Sequence, residues 1–278
     1  MNRTGLAIAL SIAALVGLVF GIFPELDLAI ARPFYDPDKK DFMLRFVPVL
    51  GAVRSAASWI VAAFVAPAIV ALIAKLIMPR RRILISGRAI VFLLATLIVG
   101  PGLLVNVVMK DFWPRSRPID VPQFAGTELF VPWWDPRGNC PKNCSFVAGE
   151  GAGAFWTFAP AALTPPQWRP LAYAGVIAFG AAAGGLRIAF GGHFFTDVVF
   201  AGVLMFLIVW LMHGLIYRWP TTRLSEEAIE RAIARIALPF DLLTRPLALV
   251  LAPLLGRLTA TMRRLTGRAS RQRADEGN

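Results

Sequence analysis

Residues 187–197 read RIAFGGHFFTD and bring three ionisable side chains, Arg187, His193 and Asp197, into an otherwise apolar or small-residue stretch. The four-residue spacing of His193 and Asp197 places both on one face of a helix that begins near His193. A carboxylate that accepts a hydrogen bond from one imidazole nitrogen leaves the other nitrogen free as a nucleophile or a base. The Gly191-Gly192 pair permits a chain break that turns Arg187 back toward the imidazole. The stretch therefore predicts a reactive histidine with an arginine beside it.

A second charged group, KDFWPRSRP at residues 110–118, follows a long apolar run. Basic residues at the end of a membrane span are commonly interface anchors. Here, however, two prolines force a non-helical path, and the turn carries Lys110, Arg115 and Arg117. Such a turn can aim several donors at one anion, and arginine adds the bidentate geometry that suits phosphate. We therefore expect an anion-binding turn.

A third stretch, CSFVAGE at residues 144–150, has the features of a helix start. Ser145 is predicted to be the N-cap, and Glu150 falls in the first turn, where the helix dipole favours an acid. A helix start also presents unpaired backbone N–H groups, which bind anions. Taken alone, this stretch does not define a site.

The composition indicates what kind of scaffold must position these groups. The 278-residue chain is 57% hydrophobic and 17% charged, with a mean hydropathy of +0.62, whereas a soluble domain carries about 25% charged residues. Several apolar runs also reach the roughly 18 residues typical of a membrane helix. We predict an all-α, polytopic membrane bundle of six spans, the fourth and fifth of which are rich in small residues and lie inside the bundle. The predicted spans are residues 5–23, 57–78, 89–109, 146–163, 171–190 and 194–216.

Arginines orient these spans. Arg80, Arg81, Arg82 and Arg88 lie between the second and third spans, and such an excess is typical of cytoplasmic loops. With the N-terminus inside, all three charged groups lie at the outer face of the membrane. Cleavage of the first span as a signal peptide near Ala29-Ile30-Ala31 is an alternative that leaves the later topology unchanged.

Two cysteines, Cys140 and Cys144, lie four residues apart in the long outer loop. In an oxidising compartment such a pair is expected to form a short disulfide. A metal site is disfavoured because no histidine or further cysteine lies nearby.

The net charge of +12 is concentrated on the predicted cytoplasmic side, where residues 217–278 hold eleven arginines and no lysine. We predict a membrane domain over residues 1–216, followed by a basic cytoplasmic tail with amphipathic interfacial helices. One helix is expected to start at Ser225-Glu226-Glu227 and to carry an apolar stripe. The stripe consists of Ile229, Ile233 and Ile236. No motif supports nucleic-acid binding, so the expected partners are the lipid bilayer and a lipid substrate.

The charged groups together resemble the type-2 phosphatidic acid phosphatase superfamily of membrane lipid phosphatases, which is related to the vanadium haloperoxidases. The first family element, a lysine followed after six residues by Arg-Pro, is present from Lys110 to Arg117-Pro118. The third element, an arginine, five residues, a histidine, three residues and an aspartate, is matched by Arg187, His193 and Asp197. The resemblance extends over roughly residues 1–216 and implies a haloperoxidase-like helical core.

Two of the three family elements are matched only in part. Leu186 stands where the third element has a serine. The second element is Pro-Ser-Gly-His in the family, but residues 147–150 read VAGE, so that only Gly149 is retained and Glu150 replaces the histidine.

The resemblance implies a two-step hydrolysis of a lipid phosphate monoester. His193 would attack phosphorus and form a phosphohistidine, while Asp197 orients the imidazole and stabilises its positive charge. No metal and no other cofactor is needed, because cations supply the positive field. The implied phosphate-binding residues are Lys110, Arg117, Arg187 and Gly149.

The family histidine protonates the leaving alcohol, and Glu150 is the matched position in this chain. A glutamate there would act as general acid or would instead activate the hydrolytic water, depending on whether burial or the nearby cations dominate its pKa. Arg115 is not ranked with the site residues.

Three outer-loop stretches, residues 23–27, 34–36 and 143–147, are similar to the branch of the family that dephosphorylates lipid A. The resemblance implies a bacterial inner-membrane enzyme with its site facing the periplasm. Undecaprenyl pyrophosphate and phosphatidylglycerophosphate are alternative substrates. A non-enzymatic alternative is an inactive lipid-binding scaffold. A transporter is disfavoured because no series of ionisable residues crosses the membrane midplane.

Overall fold

A computed structural model of the chain describes residues 2–79 and 85–240, together with residues 252–253 and 256–257. This part is mostly helical, and a two-stranded antiparallel hairpin pairs β1 (Tyr35–Asp36) with β2 (Asp41–Phe42). The helices are α1 (Arg3–Ile22), α2 (Glu25–Ala31), α3 (Pro48–Ile77), α4 (Gly87–Leu97), α5 (Lys110–Phe112), α6 (Gly149–Phe155), α7 (Phe158–Ala162), α8 (Arg169–Ala189), α9 (Phe195–His213) and α10 (Glu226–Ala237). Two π-helical segments, Ile98–Met109 and Gly214–Arg218, join α4 to α5 and extend α9.

Five helical runs in the described residues are long and apolar enough to cross a membrane. Their outward surfaces are apolar as well: Leu15 and Leu18 are each 65% exposed, and Trp59 is 75% exposed. A soluble protein rarely exposes apolar patches of this extent, whereas lipid solvates them. The chain is therefore a multi-pass membrane protein. The five runs are Arg3–Ile22, Pro48–Ile77, Gly87–Phe112, Pro166–Ala189 and Phe195–Arg218.

The predicted fourth span, residues 146–163, is not a single long helix. It forms the short helices α6 and α7, separated at Trp156-Thr157. Pro160 explains the break, because its ring conflicts with a helical carbonyl four residues earlier. The Thr157 hydroxyl also donates to the Ala154 carbonyl at 2.6 Å, a side-chain bond that competes with the helical pattern.

Glycines of α8 allow the close helix packing expected for interior spans. A Cβ at Gly180 would overlap the ring of Phe155 in α6, and a Cβ at Gly184 would overlap Val198 in α9. This contact fixes α8 and α9 side by side, so that the end of α8 and the start of α9 lie next to each other. Those are the ends that carry Arg187 and His193.

An apolar cluster outside the spans covers this end of the bundle. Leu28 and Ala31 of α2 pack with Phe42 of β2, Phe124 and Phe194. Phe194 directly follows His193, and the ring of Phe42 lies against Gly191, so the cluster borders the turn between α8 and α9.

The described residues fall into two compact units, one from the ranges 1–66 and 91–223 and the other from the ranges 67–90 and 224–278. In the second unit, Ser225 caps α10 by accepting from the Ala228 backbone N–H at 3.0 Å, so the predicted helix start is confirmed. Ile229 of the predicted stripe is buried, but Ile236 is exposed. The arginines at positions 80–82 and most of the tail after residue 240 lie outside the described residues.

Candidate active site

The Gly191-Gly192 turn joins α8 to α9 and positions Arg187. Gly191 has φ +66°, a left-handed conformation that glycine adopts without strain. At Gly192, a Cβ would overlap the guanidinium of Arg187, which therefore lies directly against the turn. The break thus returns Arg187 toward His193, as the spacing predicts.

His193 is 2% exposed and lies two residues before the start of α9. Its Nδ1 donates to the Ser145 carbonyl at 2.7 Å, since a carbonyl only accepts. Asp197 Oδ2 lies 3.7 Å from Nδ1, within ion-pairing range but beyond a hydrogen bond. The direct hydrogen bond expected between them is absent because His193 precedes the helix instead of lying on it. Nε2 remains the ring nitrogen available for attack.

Burial dominates the titration of His193. It lowers the pKa of the imidazole, and Asp197, which acts in the opposite direction, does not compensate fully. The positive charges of Arg187 and Arg117 lower this pKa further. The imidazole is consequently neutral at neutral pH, as a nucleophile must be.

Asp197 is held by groups other than His193. Its Oδ2 accepts from the Ser145 hydroxyl and from the Phe194 backbone N–H at 2.8 Å, and its Oδ1 accepts from Arg115 Nη1 at 2.5 Å. The prediction that Ser145 is an N-cap is wrong, because α6 begins at Gly149 with Ala148 at the cap position. Ser145 instead links the two catalytic candidates through its carbonyl and its hydroxyl.

Arg115 lies away from the other two cations of its turn. It is fully buried and forms ion pairs with Asp197 and with Asp27. Asp27 falls within the FPELD stretch noted in the sequence, but its spacing from the other charged groups gave no indication of this contact.

Lys110 and Gly149 lie against each other. A Cβ at Gly149 would come within 3.0 Å of Lys110 Nζ, a contact tight enough that the side chain would have to shift. The glycine at the start of α6 therefore leaves room for the ammonium group of the preceding span.

Arg117 is fixed by the disulfide loop. Its Nη2 and Nε donate to the carbonyl of Asn143 at 2.7 and 3.2 Å. Asn143 adopts φ +54° and lies between Cys140 and Cys144, which are joined by a disulfide with a Cα–Cα distance of 5.8 Å.

Arg187 retains an unused donor. It is buried, and its Nε has no hydrogen-bond partner within the described residues, while Glu150 Oε2 lies 3.8 Å away. Arg187 and Arg117 line one polar cleft of about 930 Å³, and Lys110 lines an adjoining apolar groove of about 650 Å³. A buried orphan guanidinium donor beside an open polar cleft is suited to an anionic ligand.

Glu150 lies in the first turn of α6, as predicted, but its main partner is Arg54 of α3. Arg54 Nη2 donates to Oε1 at 2.6 Å, and Nε lies 2.9 Å from both carboxylate oxygens. Arg187 also lies within ion-pairing range of this carboxyl group, since its Nε is 3.8 Å from Oε2. The two arginines stabilise the ionised carboxylate.

Arg54 was missed by the sequence analysis. The predicted second span begins at residue 57, whereas α3 begins at Pro48 and includes this arginine. The one sequence feature that could have indicated a role for Arg54 is its charge, three residues before the predicted span. Among the described residues, no cluster of three or more His, Cys, Asp and Glu side chains is arranged to hold a metal ion.

Comparisons with known proteins identify relatives of the chain and its family. The chain is 35% identical over 219 residues to a lipid A 4′-phosphatase of Francisella tularensis subsp. novicida, covering 78% of this chain and 98% of the relative. It is 41% identical over 116 residues to a lipid A 4′-phosphatase of Rhizobium leguminosarum, covering 42% of this chain and 49% of that relative. No solved structure matches the chain. Residues 88–222 match the PAP2 superfamily model, and the chain belongs to that superfamily.

Proposed function

We propose that the chain removes the 4′-phosphate of lipid A at the periplasmic face of the bacterial inner membrane. Its family and its relatives make it a phosphoric monoester hydrolase acting on lipid phosphates. The observation that best supports the proposed mechanism is the environment of His193. The imidazole is buried and neutral, its Nδ1 is bound by Ser145, and the charges of Arg187 and Arg117 act on it.

In the first step, His193 Nε2 attacks the phosphorus, a P–N bond forms and the P–O bond to the lipid breaks. Lys110, Arg117 and Arg187 bind the phosphoryl oxygens and stabilise the negative charge of the transition state, and the Gly149 backbone N–H is a further donor. Asp197 and the Ser145 carbonyl stabilise the positive charge that develops on the imidazole.

In the second step, Glu150 takes a proton from water, which attacks the phosphohistidine and breaks the P–N bond. The hydrogen bonds from Arg54 stabilise the carboxylate form of Glu150 and support this base role, since a general acid would have to be protonated. Because Glu150 is not the general acid in this scheme, the lipid oxygen that leaves in the first step takes its proton from water in the open cleft.

Lipid analysis tests the substrate. Lipid A from cells that express the chain should lose about 80 Da, the mass of one HPO3 unit, and fragmentation should locate the loss at the 4′ position. His193→Ala should abolish the loss. Dephosphorylation of isoprenoid or glycerophospholipid pools with lipid A unchanged would overturn the substrate assignment, and no phosphate release from any lipid would favour a scaffold.

We also propose six membrane crossings for the domain of residues 1–216, with the tail on the cytoplasmic side. α8 has 21 residues, about 31 Å at 1.5 Å per residue, and its C-terminal end lies at the active site. The preceding segment starts at the site with Gly149 and must reach the opposite end of α8. α6 and α7 together are the sixth, broken crossing.

A further inference from the structure

A second buried carboxylate, Asp27, lies behind the catalytic pair. We propose that Asp27, acting through Arg115, is a positioning residue that sets the orientation and basicity of His193 by way of Asp197. The inference rests on the proposed function, in which His193 is the nucleophile. Nothing in the spacing of the motif residues points to Asp27, which lies 88 positions before Arg115 in the sequence.

Arg115 connects the two carboxylates. Its Nη1 donates to Asp197 Oδ1 at 2.5 Å and its Nη2 donates to Asp27 Oδ2 at 2.7 Å. The Nε donates to the Val131 carbonyl at 3.1 Å, and the guanidinium lies 4.5 Å from the centre of the Phe194 ring. Every nitrogen of the guanidinium is thus engaged, and the group is held rigidly.

Asp27 also holds the start of α9. Its Oδ1 accepts from the Thr196 backbone N–H at 3.0 Å, and its Oδ2 accepts from the Thr196 hydroxyl at 2.6 Å. Asp27, Arg115, Thr196 and Asp197 are each no more than 1% exposed. Contacts in this buried environment have stronger electrostatic effects than contacts at a surface.

The charges of this network fit the proposed reaction. Burial raises the pKa of Asp27, and Arg115 opposes this shift only in part. Three donors nevertheless point at the Asp27 carboxylate, one from Arg115 and two from Thr196, which fits its ionised form. With both carboxylates ionised around the one positive charge of Arg115, the set carries one excess negative charge. Formation of the phosphohistidine places a positive charge on the imidazole ring, which the excess negative charge balances. Without the Asp27 charge, Arg115 would neutralise Asp197 alone and leave the imidazolium less stabilised.

A purely structural role is the competing explanation, because a buried arginine needs partners in any case. The two roles differ in what they predict for His193. A structural role changes folding stability without changing the titration of the imidazole. A positioning role changes kcat and the acid limb of the pH profile at constant KM.

The test compares Asp27→Asn with Asp27→Glu and with Asp38→Asn in the detergent-purified enzyme. Asn retains a carbonyl oxygen for the Thr196 N–H and removes the charge, whereas Asp38 is an exposed carboxylate of the same region. For Asp27→Asn we expect kcat to fall at least about tenfold, with KM unchanged. Loss of a group that orients a metal-binding histidine has an effect of this size. The acid limb of Asp27→Asn should move to lower pH, because the uncompensated charge of Arg115 disfavours the imidazolium.

Asp27→Glu should recover part of the kcat, and Asp38→Asn should match the parent enzyme. The other charged groups facing His193 are unchanged in every variant; they are Arg117, Glu150, Arg187 and Asp197. Parental kcat in Asp27→Asn, or a lower kcat with an unmoved acid limb, overturns the inference.

Arg115→Lys decides the matter if Asp27→Asn does not fold. A lysine keeps the charge but cannot bridge two carboxylates with a planar fork, so kcat should fall at constant KM, and an unchanged kcat overturns the inference. His193→Ala separates the two proposals. If that variant retains activity, the proposed mechanism itself is wrong, whereas an inactive His193→Ala beside a fully active Asp27→Asn removes only the role of Asp27.

Discussion

Gly192 lies against the guanidinium of Arg187, which we propose binds phosphate, and the absence of a Cβ leaves room for that group. Gly192→Ala should displace that group, because the added Cβ would overlap the guanidinium. Loss of one positioned charge donor lowers kcat/KM by about 10²–10³-fold in well-studied sites. Steady-state kinetics on a lipid phosphate measures the effect.

Gly185→Ala is the matched control, since a Cβ at Gly185 meets no atom within 4 Å. The control should retain parental kinetics. Equal kinetics in both variants would mean that Arg187 does not bind phosphate from this position.

Glu150 is expected to act after the phosphohistidine has formed. Glu150→Gln should therefore release the lipid alcohol in a burst and then stall, because the amide cannot take the proton of the attacking water. Labelled phosphate should accumulate on His193 and be detected as acid-labile phosphohistidine. Glu128→Gln, a change at another acid lining the same cleft, should turn over without accumulation. If Glu150→Gln instead releases the alcohol slowly and traps no phosphate, Glu150 acts in the first step, the formation of the phosphohistidine.

The pH dependence should follow the neutral form of His193. Because burial lowers its pKa, the imidazole stays neutral to more acidic pH than a free histidine does. The acid limb of kcat/KM reports the free enzyme, so its midpoint should lie below about 6.5, the usual value for histidine. Activity should be lost as pH falls through that midpoint. A midpoint above it would mean that Asp197 outweighs burial.

The spacing of charged residues predicted one half of the site better than the other. Arg187 and His193 were predictable as neighbours because they flank a single turn, and Lys110 and Arg117 because they share a motif. The contacts of Arg54, Asp27 and Ser145 with the site were not predicted, since they join segments that lie between 48 and 169 residues apart in the sequence. Such contacts depend on how helices pack, which a local pattern does not contain.

Helix packing at α8 is set by its glycines. Gly184→Ala should destabilise the protein, because a Cβ there would overlap Val198 of α9. Overpacking of this kind costs about 1–3 kcal/mol, and thermal unfolding in detergent measures it. Gly175→Ala on the same helix is the control, since a Cβ at that position meets nothing within 4 Å. A variant at 184 as stable as the one at 175 would show that α8 and α9 are not in contact at this point.

At the scale of elements, hydropathy predicted where long helices occur but not where the fourth span breaks. The windows at 5–23 and 194–216 correspond to α1 and to α9 with its π-helical extension. These apolar runs contain no proline that would interrupt the helical hydrogen bonds. The window at 146–163 is also largely apolar, though richer in small residues, and Pro160 and Thr157 interrupt it. Mean hydropathy averages over such residues, whereas the backbone responds to each of them.

At the scale of the molecule, the residues that we propose bind and attack phosphate lie at one end of the bundle. The ends of α8 and α5 and the starts of α6 and α9 supply Arg187, Lys110, Gly149 and Asp197. An active site built from helix ends lies at the depth of a lipid headgroup, while the exposed apolar faces of the same helices lie among the acyl chains. The helix bundle thereby places an active site that water can reach beside a substrate that stays in the bilayer.

The proposed orientation makes a prediction that labelling can test. With Cys140 and Cys144 replaced by serine, a single cysteine at Asp38 should react with a membrane-impermeant maleimide in intact spheroplasts, because this loop lies at the site end. A cysteine at Thr222, beyond the far end of α9, should react only after permeabilisation. Both positions are exposed in the structure, so protection reports the membrane and not burial. Labelling of both in intact spheroplasts would mean that residues 38 and 222 share one side, and an odd number of crossings between them would then be excluded. Between residues 38 and 222, four crossings are supplied by α3, the α4–α5 run, α8 and α9. If the broken α6–α7 segment also crosses, the number is five and the two residues lie on opposite sides of the membrane. The labelling comparison therefore decides whether α6–α7 crosses.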